Sequence, residues 1–192
     1  MNDNLIWREE DRKTVFNCPV FNVEERYCRP PAAKAASTAD ELRTYFVLNT
    51  SDWAIVIPVI ETEQGRKFVM VRQWRHGARQ LSLEFPGGVF EKGEDALAAA
   101  VRELREETGY TAGNIEKLGE FGPNPAIMSN RVHFFLAREL SIPLEQELDE
   151  DEYVEVETIP WEEALRGMGK PPYIHALMAT AMALYLQKIR EE

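Results

Sequence analysis

The chain has 192 residues, of which 44% are hydrophobic and 29% charged, with a formal net charge of −11. That length suits one domain with a modest extension, and it buries a core without help from disulfides. The acidic balance excludes a general nucleic-acid binder, which needs a basic face. No stretch approaches the roughly 18 apolar residues of a membrane span.

The N-terminus, Met1 to Glu10, lacks a basic start followed by an apolar run, so a cytoplasmic protein is expected. Cys18 and Cys28 have no CxxC partner and no neighbouring histidine, and read as free thiols in a reducing compartment. Residues 1–50 carry short strand-like stretches at Thr14–Asn17, Val20–Val23 and Thr44–Leu48, with a Pro- and Ala-rich loop from Arg29 to Ala39. They are expected to form a small antiparallel β region, ahead of a main domain over 51–192.

From Trp53 the pattern changes. Ala54–Ile60 reads as a buried strand, Glu61–Arg66 as a turn, Lys67–Trp74 as a second strand and Gln80–Phe85 as a third. Residues 95–108 read as a helix stopped by Gly109, with Leu97, Val101 and Leu104 expected to hold it against the core. Further strands are expected near 115–121, 131–138 and 152–157. A short helix is expected at Trp161–Arg166, and a last one at Tyr173–Arg190 buries Leu177, Ala181, Leu184, Tyr185 and Ile189. These elements describe a mixed α/β layered fold.

The chemistry concentrates between Gly88 and Tyr110. Glu103, Glu106 and Glu107 stand at i, i+3 and i+4, so one helix face presents carboxylates together. Such carboxylates repel unless a cation sits between them, and Mg²⁺ favours oxygen ligands that it shares with phosphates. The glutamates alone would also suit a solvated helix face. The whole segment is more specific. It resembles the Nudix box, G-x5-E-x7-R-E-U-x-E-E-x-G-U, departing only in the aromatic Tyr110 at the last aliphatic position.

That resemblance implies an α+β fold, an α/β/α sandwich with a mixed β-sheet between helices. It also implies hydrolysis of a pyrophosphate in a nucleoside diphosphate linked to another group. By likeness to the family, Glu103, Glu106, Glu107 and the Gly87 carbonyl hold Mg²⁺ or Mn²⁺. Arg102 orients the glutamates, and Glu94 supports the loop–helix junction. Outside the box the chain looks like the ADP-ribose pyrophosphatase branch. The likeness lies in Arg72-Gln-Trp-Arg75, in Leu83-Glu84-Phe-Pro-Gly-Gly88 and in Pro125, sixteen residues beyond Gly109.

The branch implies ADP-ribose as substrate, with a GDP- or UDP-linked hexose as the competing choice and a non-catalytic nucleotide-binding module as the other class. It nominates Arg72, Arg75, Glu84, Pro125, Ser129, Asn130, Arg131 and Trp53 for substrate contacts, with Trp7 as a further aromatic. Asn130 departs from the acid usual there. The acidic stretch Glu145–Glu152 reads on composition alone as a solvated loop; the branch implies that it supplies a glutamate as general base or extra metal contact, Glu152 by preference over Glu150. A homodimer formed through the N-terminal region is also implied. His133, flanked by apolar residues, reads as a structural strand residue, and His175 as an ordinary polar one.

Overall fold

A computed structural model describes residues 5–31, 42–150 and 152–192. Most of the expected Pro- and Ala-rich loop therefore lies outside the described residues. The chain forms two compact units, one of residues up to Ser51 with Gly122–Asn130, the other of Asp52–Phe121 with Arg131–Glu192.

The first unit is an antiparallel sheet of β1 (Arg8–Asn17), β2 (Asn22–Arg29) and β3 (Arg43–Asn49), in that order. The strand expected at Val20–Val23 instead begins at Asn22 and runs to Arg29 through Glu24, Glu25 and Arg26. Cross-strand ion pairs make these charged residues compatible with a sheet: Lys13 with Glu25 at 3.2 Å, Arg29 with Glu10 at 3.1 Å. Met128 bridges in parallel to Leu48, which joins segment 122–130 to this sheet.

The second unit carries β4 (Trp53–Thr62), β5 (Gly65–Arg75), β6 (Gln80–Glu84), β7 (Ala112–Phe121), β8 (Val132–Leu140) and β9 (Val154–Pro160). Their order is β6-β5-β4-β8-β7, with β9 on the other side of β5; β4 and β8 run parallel and the remaining pairs are antiparallel. Only Glu63 and Gln64 remain of the expected turn, because Thr62 already pairs with Gly65.

Alternation along β4 divides the core. Ile55, Ile57 and Val59 face one side with Phe68, Met70, Phe134 and Leu136, covered by α2 (Trp161–Gly167) and α3 (Ala176–Glu191). Ala54 and Val56 face the other side with Phe135, covered by α1 (Ala96–Thr108). The sheet is thus sandwiched between helices, as expected. Two details differ. Helix α3 begins at Ala176, where the His175 ring accepts from Leu177 N–H as its cap, and it buries Met178 and Met182 beside Ala181 and Tyr185.

The second difference concerns α1. Its buried face is Ala99, Ala100, Glu103, Leu104, Glu107 and Thr108, while Leu97 and Val101 are about half exposed. The small alanines let the helix sit close on Ala54 and Val56. That rotation carries Glu103 and Glu107 inward at the expense of the larger aliphatics.

Candidate active site

Three adjoining parts make the site: a loop zipped to β4, the inward face of α1, and the acidic loop before β9. Val56 N–H donates to Pro86 O and Ala54 N–H to Gly88 O, each at 2.9 Å, so residues 86–88 run along β4 like strand. A Cβ on Gly87 would lie 2.1 Å from Ala54 O, so no larger residue fits that approach. The Gly87 N–H turns towards α1 and donates to Glu107 Oε2 at 2.8 Å.

Helix α1 is sharply bounded. Asp95 Oδ1 accepts from Leu97 and Ala98 N–H at its start, and Gly109, with φ 74°, closes its end. Between these ends Arg102 organises the acids. Its Nε and Nη2 donate to Glu94 at 2.9 and 3.0 Å, its Nη1 to Glu103 and Glu106 at 2.9 and 2.8 Å, and its Nη2 to Val89 O at 2.9 Å. The Glu94 bonds, opposed by burial, lead in holding the Arg102 pKa above its ordinary value. Glu94 in turn is held low chiefly by Arg102.

The two inward glutamates are in an unfavourable position as anions. Burial pushes the Glu103 carboxyl up to about 7 against the pull of Arg102. Burial also pushes Glu107 up to about 8; the Gly87 N–H opposes this, and repulsion from Glu103 and Glu152 adds to it. Among the described residues no trio of His, Cys, Asp or Glu already converges on one point. Arg102 bonds to both Glu103 and Glu106. Yet buried carboxylates short of positive charge are a hard oxygen donor set, and this chemistry suits a divalent cation of the Mg²⁺ class.

Beside them, Glu152 acts electrostatically on Glu103, Glu107 and Arg75. Its carboxylate accepts from Asp149 N–H at 3.3 Å. Glu150 and Glu152 are both exposed on this loop. Strand β5 stays regular to its end, so Arg72 and Arg75, three apart, point to opposite faces. Arg75 forms a two-pronged pair with Glu84 at 2.9 and 2.7 Å. Burial works to raise the Glu84 carboxyl, but Arg75 outweighs it and holds the group below its usual range. Glu84 is only 1% exposed, so it reaches the site as the anchor of Arg75.

Arg72 pairs with Glu157 on β9. It also lines a cavity of about 390 Å³ with Leu81, Leu148, Glu152, Tyr153, Val154 and Glu155.

The other nominated residues are placed more loosely. Arg131 has a largely exposed side chain 3.9 Å from Glu120, and Trp53 packs against the core on the α3 side. Pro125, Ser129 and Asn130 belong to the first unit. There Ser129 Oγ donates to Asn49 Oδ1 at 2.6 Å, and the buried Asn130 donates to Ser51 O at 3.2 Å. Trp7 meets Tyr45 edge to face, under the Arg43 guanidinium. His133 is buried in β8 with Asp52 at 3.4 Å from Nε2 and Glu120 at 3.3 Å from Nδ1.

His175, an ordinary polar residue by sequence, has a structural place beside the site. Burial lowers its pKa, and Glu84 and Arg75 lie within electrostatic reach, so a neutral cap of α3 stands behind that pair. Its signal in the sequence is its place just before an apolar helical run.

The model of the NUDIX domain matches residues 51–179. An ADP-ribose pyrophosphatase of Bacillus subtilis is 46% identical over 127 residues, covering 66% of this chain and 68% of that protein. A methanol dehydrogenase activator of Bacillus methanolicus is 38% identical over 132 residues, covering 68% and 71%. The crystal structure of an ADP compounds hydrolase superposes with a TM-score of 0.81, covering 96% of this chain and 95% of that one at 22% identity.

Proposed function

Since the chain belongs to the Nudix hydrolase family, we propose that it hydrolyses the pyrophosphate of a nucleoside diphosphate sugar, splitting ADP-ribose into AMP and ribose 5-phosphate. The observation that carries the chemistry is the pair of buried glutamates, Glu103 and Glu107, raised towards neutral pKa beside the Gly87 turn. The substrate choice is supported by the ADP-ribose pyrophosphatase relative of Bacillus subtilis.

In this reading Glu103, Glu106, Glu107 and the Gly87 carbonyl hold Mg²⁺, with Mn²⁺ as the alternative. The bound cation would lower the pKa of the attacking water and offset phosphate charge. Arg102 keeps the glutamates in register, and Glu94 fixes Arg102 to the loop. Glu152 takes the proton from the attacking water. Arg75, held by Glu84 and within electrostatic reach of Glu107 and Glu152, is the candidate to meet a phosphate oxygen. Arg72 and the adjoining cavity serve the remainder of the substrate.

The same reading makes the protein cytoplasmic and a homodimer. Its first unit exposes Phe16, Tyr45 and Phe46 on a three-stranded sheet and Trp7 just ahead of β1, which supports a role in assembly.

The experiment is product analysis on ADP-ribose, GDP-mannose and UDP-glucose with Mg²⁺. The expected result is AMP and ribose 5-phosphate, formed at least about tenfold faster than products of the hexose substrates, a gap of roughly 1.4 kcal/mol. Turnover of ADP-ribose no better than that of the others would sink the substrate assignment.

A further inference from the structure

We infer that Arg105 and Gln146 are positioning residues that fasten the acidic loop to the box helix and thereby hold the Glu152 carboxylate in the site. The inference rests on the reading of Glu152 as general base.

A helix leaves its last carbonyls without partners inside the helix. Here the acidic loop supplies them. Glu147 N–H donates to Glu106 O at 2.9 Å, Leu144 N–H donates to Gly109 O at 2.9 Å, and Gln146 Nε2 donates to Glu107 O at 2.5 Å. The same Gln146 nitrogen lies 3.3 Å from Val154 O, the first residue of β9. One side chain therefore ties the end of α1 to the start of the strand that follows Glu152.

Arg105 occupies the position that the box leaves open, between Leu104 and Glu106. It reaches across to donate to Glu145 O at 2.8 Å, and its other Nη meets the Glu147 carboxylate at 2.5 Å. Among the described residues, the segment these two hold carries Glu145, Glu147, Asp149, Glu150 and Glu152. Like charges on it and on α1 repel, so contact needs specific anchors.

Beyond the anchors Glu152 N–H donates to Asp149 O at 3.0 Å, and the Glu152 carboxylate accepts from Asp149 N–H. Glu152 is thus pinned between a fastened loop and a paired strand. The backbone of Glu106 and Glu107 holds the loop while their side chains face the site, so displacement of one moves the other.

The test is steady-state hydrolysis of ADP-ribose with saturating Mg²⁺ by the full chain, comparing Arg105→Ala, Arg105→Lys, Gln146→Ala and Glu152→Gln. The double variants carrying Glu152→Gln with either alanine change complete a cycle. A carboxylate displaced by about 1 Å predicts kcat lower by roughly tenfold or more in each alanine variant, with KM within about twofold. Arg105→Lys, which keeps a donor for Glu145 O, recovers most of the loss. In the Glu152→Gln background the alanine changes lower kcat by less than about twofold, because the group they position is already gone.

Equal losses in both backgrounds, wild-type kcat in both alanine variants, or a raised KM with unchanged kcat would each overturn the positioning role alone. Wild-type kcat in Glu152→Gln removes the base assignment, and the positioning role with it.

Discussion

Glu107→Gln should make the metal-free protein more stable while removing its metal-dependent activity. Glu107 is 3% exposed and its pKa is raised from 4.5 to about 8, first by burial and then by Glu103 and Glu152. A carboxyl raised in the fold keeps its proton longer there than in the unfolded chain. Stability is therefore full below about pH 4.5, falls as pH rises, and levels off above about pH 8. With those limits the loss from Glu107 alone is about 4 kcal/mol at about pH 7.5 and about 1 kcal/mol at about pH 5.

Glutamine removes the charge and keeps an oxygen to accept the Gly87 N–H bond of 2.8 Å. In chelator at about pH 7.5 the variant should gain on the order of 2–4 kcal/mol, or roughly 5–10 °C in Tm, and little at about pH 5. Mg²⁺ should then raise the Tm of the wild type and leave the variant almost unmoved, because binding stabilises only a fold that binds. Thermal melts at both pH values, with chelator and with Mg²⁺, read all of this. A variant that melts below the wild type at about pH 7.5 in chelator, or that gains as much from Mg²⁺, would refute the reasoning.

Other substitutions probe the supports. Arg75→Ala strands Glu84, 1% exposed, without its partner, and should cost about 3–5 kcal/mol in urea unfolding. A cost below about 1 kcal/mol would mean that Glu84 takes up its proton cheaply. Arg102→Ala frees Glu94, Glu103 and Glu106 at once and should lower kcat/KM by about a hundredfold or more while far-UV circular dichroism stays unchanged. Gly109→Ala forces a Cβ to within 2.0 Å of Leu144 O at a left-handed residue. It should destabilise the fold by about 1–3 kcal/mol and lower kcat beyond what the stability loss explains, as seen by comparing melts with rates at a low temperature.

Much of this architecture can be read from residue order, and the failures have physical causes. The limits of α1 are legible because Asp95 and Gly109 are local signals: one caps the N-terminus and the other adopts the left-handed end. Its buried face is not. Periodicity favours Leu97 and Val101, but closeness to Ala54 and Val56 rewards alanine, and the glutamates turn inward with Ala99 and Ala100. The span of strand β2 is not legible, because charge usually argues against a sheet and the opposing partners Glu10 and Lys13 are visible only once the strands are paired. The bonds from Leu144 and Glu147 to the end of α1 run through main chain, which every residue carries, so no composition announces them. The cap at His175 is not legible either, because capping by an imidazole is uncommon.

The zipping of Pro86–Gly88 onto β4 has a consequence for how the centre can move. Its two amides, on Ala54 and Val56, belong to residues that are fully buried in the sheet. Such amides open to solvent only when the surrounding sheet opens. Their hydrogen exchange should therefore report the global free energy of the second unit and show no separate, easier local opening. The backbone that frames the glutamates is then already ordered before any ligand arrives. Its ordering entropy is spent during folding, and substrate binding does not have to supply it.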